Sequence, residues 1–398
     1  MYVKRDFLDT LIQLSTLESV LIWGPRQVGK TTLLDQLPLK TKFFLDDLGL
    51  RRRAQEDPGL LLANAKLPCL IDEAQYAPNL FPEIKLRIDA TRRESIHQKN
   101  PPIGPSYYLT GSNKIILDGR VKESLAGRCH TFVLHGLSIR ELIAAFPHLT
   151  IAEILFNGGL PEVYTRTDLN ISDYLNDYIL NFVEKDIAMS CGIRKLDEFR
   201  TVLQLLAGRT GQLLNSNEVS GASGVKHLTL TSWIGMLERS SIVQRIQPFT
   251  SNLTKRLVKM PKIYFYDVGI CARLQSQSTA ESLWSSAQVG GLFENAVFSE
   301  IIKTKDNFRR NWEINYWRTR DQNEIDFVLT DGTKYLLLEA KLAIHSAKAF
   351  KLDPEARKVF PDGTPQVVVT AGGEIAQIDR TTKVVPIQKL GDFLLENF

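Results

Sequence analysis

The stretch Gly24–Thr31 reads GPRQVGKT, a full match to the pattern GxxxxGK[ST]. Its glycines let backbone amides turn inward around phosphate oxygens, and a helix that follows adds the positive end of its dipole. In such a loop Lys30 reaches the β- and γ-phosphates and Thr31 holds magnesium. The expected ATP contacts are therefore Gly24, Pro25, Arg26, Gln27, Val28, Gly29, Lys30, Thr31 and Thr32. Further along, PCLIDEA is an apolar run that ends on two adjacent acids. Asp72, at a strand end, can share the magnesium through its water shell, and Glu73 can polarise attacking water as a general base. A third stretch, YYLTGSNK, sets Ser112 and Asn113 just beyond an apolar run. A polar side chain there orients water against the γ-phosphate, and either residue suits that sensor role.

These side chains must be carried to one edge of a scaffold. Short apolar runs recur at Val20–Trp23, Lys42–Leu45, Cys69–Ile71, Tyr107–Leu109 and Thr131–Leu134, with helix-like segments between most of them. That alternation predicts a parallel sheet wrapped by helices on both faces, with residues 1–137 forming the nucleotide-binding core. Ligands of such sheets gather at the carboxyl ends of the strands. The Pro/Gly-rich KNPPIGPS reads as a loop inside this pattern.

GPRQVGKT, LIDEAQ, YYLTGSN and SLAGR, in that order, resemble the predicted AAA+ ATPases of the AAA-14 type. Such proteins usually carry a C-terminal domain of unknown function, and the resemblance spans nearly the whole chain. It implies that the YYLTG strand lies between the P-loop strand and the Asp72 strand. It also implies that SLAGR closes the core and that its arginine, Arg128, serves as an arginine finger or second sensor, with Arg120 as competitor. Because AAA+ proteins commonly work as rings, self-association is implied as well.

Residues 138–210 turn helical. Ser138 and Glu141 have the spacing of a capping box, and Tyr174, Tyr178, Phe182 and Lys185 fall at α-helical spacing, with the aromatics expected in the core. Residues 211–275 suggest a winged helix. Asn217 or Ser220 would cap a short helix. Val225–Arg239 would form a second helix with Leu228, Trp233 and Leu237 inward. Lys226, His227, Thr229, Thr231 and Ser232 would line its exposed face, and Lys255, Arg256, Lys259 and Lys262 would lie in or beside the wing. Such residues contact DNA phosphates, although the same module also serves as a plain connector.

The last part, 276–398, carries its own constellation. Glu294 sits on a helix-like stretch, NEIDFVL places Asp326 at the start of a strand, and KYLLLEAK places Glu339 and Lys341 on one face of the next. A hairpin turn at Asp331–Gly332 would bring Asp326 close to Glu339. This arrangement resembles the PD-(D/E)xK nuclease superfamily, although Ile325 stands where a proline is usual. The resemblance implies Asp326 and Glu339 as metal ligands, Lys341 beside the nucleophile and Glu294 completing the site, with Gln322 and Glu324 in support. An inactive module that keeps only the fold is the competing reading. Upstream, Arg318 and Arg320 could pair with phosphates, while Trp312, Tyr316 and Trp317 suit a core.

Composition limits the rest. The chain has 398 residues and a net charge of +4, so any nucleic-acid surface must be local. The four cysteines, Cys69, Cys129, Cys191 and Cys271, are 60 or more residues apart with no CxxC pair, which excludes a zinc framework and suits a reducing cytoplasm. The six histidines show no metal-ligand spacing, and no apolar run of membrane-spanning length occurs. Three functions compete: an ATPase with magnesium that drives a nuclease-like module on DNA, an ATP-dependent switch whose C-terminal module only binds, and an ATPase acting on a protein partner.

Overall fold

A computed structural model of the chain describes every residue except 15–18, 96–104, 113–123, 188–191, 251–259, 320 and 344–353; at 185–186 it describes the backbone alone. Asn113, Arg120, Lys255, Arg256, Lys259 and Arg320 lie outside the described residues. The chain divides into two compact units. The first comprises Lys4–His135 with Asp306–Phe308, and the second Met1–Val3, Gly136–Lys305 and Arg309–Phe398.

In the first unit the apolar runs become strands β1 (Ser19–Trp23), β2 (Thr41–Phe44), β3 (Cys69–Asp72), β4 (Tyr107–Gly111) and β5 (Cys129–Val133). Five helices accompany them: α1 (Asp6–Ile12), α2 (Lys30–Leu34), α3 (Leu48–Glu56), α4 (Pro58–Ala63) and α5 (Leu80–Ser95). All strands run parallel in the order β2-β3-β4-β1-β5. The P-loop strand and the Asp72 strand are thus separated by β4, as the family resemblance implies. The three central strands β3, β4 and β1 are buried along their whole length, which is why they are nearly continuous apolar runs. Leu21, Ile71 and Leu109 pack with Leu80 and Ile84 of α5. Full burial of each such side chain contributes roughly 1.5–3 kcal/mol, several times a surface ion pair, so apolar packing sets the layer.

The second unit opens on α6 (Ile139–Ala145), where Ser138 and Glu141 form the predicted capping box. The next aromatic stretch departs from its expected geometry. An α-helix, α7 (Ile171–Tyr178), passes directly into a π-helix at Ile179–Ile187, so the α-helical spacing holds only in part. Tyr178 and Phe182 are nonetheless buried, with ring centroids 5.2 Å apart. After α8 (Leu196–Ala207) come α9 (Ser216–Ser223) and α10 (His227–Arg239). Asn215, not Asn217 or Ser220, caps α9. Leu230, Trp233, Ile234 and Leu237 form the buried stripe of α10. Leu228, expected inward, is 84% exposed, because at about 3.6 residues per turn it lies well around the helix from Leu230 and Trp233 of the buried stripe.

An antiparallel pair follows, β6 (Val243–Ile246) with β7 (Lys262–Phe265). The long helix α11 (Val289–Asn307) precedes a six-stranded sheet of β8 (Glu313–Arg318), β9 (Glu324–Thr330), β10 (Tyr335–Lys341), β11 (Gln366–Thr370), β12 (Ala376–Gln377) and β13 (Thr382–Pro386). Its order is β12-β13-β11-β10-β9-β8. The β8-β9-β10 part is antiparallel, whereas β10, β11 and β13 run parallel. Trp312, Tyr316 and Trp317 are core residues here. Among the described residues no helix is long and apolar enough to cross a membrane.

Candidate functional site

The phosphate-loop sequence sits between β1 and α2, at the carboxyl end of the sheet. Two glycines are required by the backbone. Gly29, which caps α2, has φ 87°, and a Cβ on Gly24 would lie 2.1 Å from the carbonyl oxygen of Leu134. Lys30 is buried and donates to the carbonyl oxygens of Gly24 at 3.0 Å and Pro25 at 2.8 Å. Burial pushes its ammonium down to about 8, against the nearby Glu73 and Asp72 charges that raise it.

Asp72 ends β3, one strand beyond β4, and the Thr31 hydroxyl lies 3.1 and 3.2 Å from its two carboxylate oxygens. The Thr110 hydroxyl bonds the same carboxylate and accepts the backbone amide of Glu73 at 3.0 Å. Burial raises the Asp72 pKa, with the Thr110 and Thr31 hydroxyls acting against it. A buried carboxylate beside a hydroxyl is an oxygen donor pair of the kind magnesium accepts. Glu73 follows in the left-handed region, at φ 53°, which turns its side chain away from the strand line. Its carboxylate accepts Ser112 Oγ at 3.0 Å and the amide of Gln75.

Lys30, Thr31, Asp72, Glu73 and Ser112 therefore converge at one sheet edge. Arg128 does not join them. It immediately precedes β5, whose Cys129 is in register with Ser19 at the opposite end of β1. At about 3.3 Å per residue, that is roughly 13 Å from the loop that follows Trp23. Its guanidinium grips Asp89 of α5 at 2.8 and 3.2 Å instead. Three participants escaped the motif reading. Thr110 had a signal, being a polar residue at the end of an apolar strand. Gln75 had only its place in LIDEAQ. Arg5 had none: it is buried and donates to the carbonyl of Val28 at 2.8 Å, bracing the phosphate loop from far away in sequence.

The second unit gathers another set of charged side chains. Glu294 on α11 and Glu324 and Asp326 on β9 all face Lys262 of β7. Lys262 starts the strand expected beside the wing, but it is 1% exposed, which corrects the expectation that it contacts phosphates. Its charge identified it as basic, but the strand pattern at its position buries it. The Lys262 Nζ lies 2.8 Å from Glu294 Oε1 and 3.7 Å from Asp326 Oδ1, and pairs with Glu324 Oε1. Burial opposes its charge, but Glu294, Asp326 and Glu324 more than offset this and hold its pKa above the ordinary lysine value. Glu294 is pushed up to about 7 by burial first and by Asp326 second. Glu339 and Lys341 pair with each other at 3.4 Å on β10, and Asp326 Oδ2 accepts the amide of Ala340 at 2.9 Å. Among the described residues no three His, Cys, Asp or Glu side chains are arranged to hold a metal ion.

Residues 17–143 match the AAA domain family, residues 149–281 a domain of unknown function (DUF8612), and residues 289–390 a second domain of unknown function (DUF4143). The chain is 30% identical over 324 residues to the uncharacterized protein Rv2008c of Mycobacterium tuberculosis, covering 79% of this chain and 68% of that protein. An uncharacterized protein of Haemophilus influenzae is 20% identical, with 86% of this chain and 88% of that protein covered. Among solved structures, the ORC2 protein of Aeropyrum pernix in its ADP form is 15% identical over 60% of this chain and 84% of that one, at a TM-score of 0.28. That similarity is too slight to bear on the chemistry.

Proposed function

The chain belongs to the family of the mycobacterial protein, with an AAA domain ahead of a DUF4143 domain, and from that premise we propose that it hydrolyses ATP with magnesium at the GPRQVGKT loop. One observation carries this reading: the Thr31 hydroxyl stands against the Asp72 carboxylate, with Lys30 in the loop beside them and Glu73 next in the chain. Thr31 and Asp72 would hold the ion, directly or through water. Lys30 would turn from the Gly24 and Pro25 carbonyls to the β- and γ-phosphates. Glu73 would take the proton of the attacking water, and Ser112, with Asn113 as alternative, would orient that water. Arg128 suits the site of a neighbouring copy, which makes self-association part of the proposal. So is the division of the chain at 137, 210 and 275, and so is a cytoplasmic location.

Hydrolysis would be coupled to the second unit, read as a winged helix followed by a nuclease-like module. DNA is the partner of this reading, contacted through Lys226, His227, Thr229, Thr231 and Ser232, all exposed at the start of α10. A second reading keeps the ATPase and makes the nuclease-like module a binding or structural element that cuts nothing, or a surface for a protein partner. The position of Lys262 among Glu294, Glu324 and Asp326 favours it. The nucleotide reading is tested by binding of a fluorescent ATP analogue. Lys30→Ala should lose tight binding, and unchanged affinity would refute the assignment of the loop.

A further inference from the structure

Two of the carboxylates that the nuclease resemblance assigns to a divalent ion, Glu294 and Asp326, face the Lys262 ammonium instead, while the third, Glu339, pairs with Lys341. An ammonium has three protons to donate and, here, three carboxylates around it: Glu294, Glu324 and Asp326. Other donors also reach the same carboxylates. Glu294 Oε1 accepts the Tyr264 hydroxyl at 2.5 Å, Glu324 Oε2 accepts Arg318 at 2.8 Å, and Asp326 Oδ2 accepts the Ala340 amide. A divalent ion requires about six oxygen ligands, several from water, and would stand a few ångströms from a buried positive charge.

The strand that delivers Lys262 is anchored independently. Asn295 of α11 accepts the Phe265 amide at 2.7 Å and donates to its carbonyl at 3.0 Å. Tyr264 stacks on Phe298, with ring centroids 4.9 Å apart. Residues beyond β6 reach the C-terminal sheet too, with Phe249 donating to the Tyr316 carbonyl. The strand that carries the lysine is therefore also held through Asn295 and the Tyr264–Phe298 stack, and not by the lysine's ion pairs alone.

The geometry points to Lys262 as the resident counter-ion of this cluster: its ammonium takes the position of a divalent cation, excludes that ion, and ties the β6–β7 hairpin to the C-terminal sheet. This rests on the second, non-cleaving reading of the module and is independent of the ATPase.

Calorimetric titration of the full chain with manganese, without nucleotide, tests it. Wild type and Asp326→Asn should titrate alike, since any binding at the phosphate loop is common to both. Lys262→Met should gain a further site, and Lys262→Met combined with Asp326→Asn should lose it. Manganese binding by the wild type that disappears in Asp326→Asn would overturn the assignment, as would a folded Lys262→Met protein that gains no site. If Lys262→Met does not fold, the wild type and Asp326→Asn decide the matter alone. The same samples are incubated with DNA. Asp326-dependent cleavage would refute the non-cleaving reading along with the assignment, whereas Asp326-dependent binding without cleavage overturns the assignment only.

Discussion

Each unit of this protein buries a lysine close to carboxylates, and the two lysines are used in opposite ways. Lys30 donates to carbonyl oxygens of its own loop, and Asp72 is met by the hydroxyls of Thr31 and Thr110. Lys262 pairs with carboxylates directly and stands among three of them. The pKa directions follow: burial pulls Lys30 down to about 8, while three anions hold Lys262 above the lysine range. The lesson concerns charge balance. A lysine bonded to neutral groups can turn to an incoming anion and leaves its neighbouring acids for a cation, whereas a lysine bonded to acids completes a closed set.

The largest break in this comparison should come from Lys262→Met. Removing one partner from a buried ionic cluster leaves uncompensated charge, so a loss of about 3–5 kcal/mol in denaturant unfolding is expected. Replacing Glu294 with Gln in the same chain should return part of it. A loss below about 1 kcal/mol would mean that the cluster is hydrated and weakly held.

A smaller effect is expected at the nucleotide site from Thr110→Val, which removes the hydroxyl shared by Asp72 and the Glu73 amide. It should weaken ATP turnover by an amount equivalent to about 1–3 kcal/mol, because a buried amide and carboxylate lose a partner. Turnover equal to wild type would show that this link does not position Asp72 or Glu73.

A pH-dependent effect of no greater size sharpens the comparison with an acid that has neither arrangement. Glu300 of α11 is fully buried and accepts the amides of Ile139 and Arg140 at the start of α6. Burial pushes it up to about 7, with Glu141 adding to this and Lys303 opposing it. Its folded-state pKa is above the ordinary 4.5, so between those values the folded protein keeps a proton that the unfolded chain has released. Stability should therefore fall as pH rises from about 4.5 to about 7, by on the order of 1–3 kcal/mol for this group. Glu300→Gln should flatten that slope in unfolding curves taken across the range. An unchanged slope would place its origin elsewhere.

The difference between the units also explains what could be read from the residues alone. The loop, the Asp72–Glu73 pair and the strand bearing Ser112 were legible because each is a local word whose meaning depends on a few neighbours and an adjacent strand. The parallel sheet followed from its apolar runs. Arg5 and Lys262 were not legible in their actual roles. Arg5 bonds Val28 from a segment with no motif, and Lys262 meets acids 32 to 64 residues away. A lysine that ends the basic stretch SNLTKRLVKMPK looks like part of a surface even when a strand is expected to start there, until the acids that surround it are known. Leu228 failed for a different reason: its five-residue spacing to Trp233 leaves the i, i+3, i+4, i+7 stripe that Leu230, Trp233, Ile234 and Leu237 occupy.

The central claim is that the first unit hydrolyses ATP, with Glu73 as the base. The direct measurement is steady-state ATP turnover by the full chain with magnesium, for wild type and Glu73→Gln side by side. Turnover by the wild type that falls about a hundredfold or more in Glu73→Gln, with ATP binding retained, is the predicted result. Equal rates in the two proteins, or no magnesium-dependent turnover by the wild type, would contradict it.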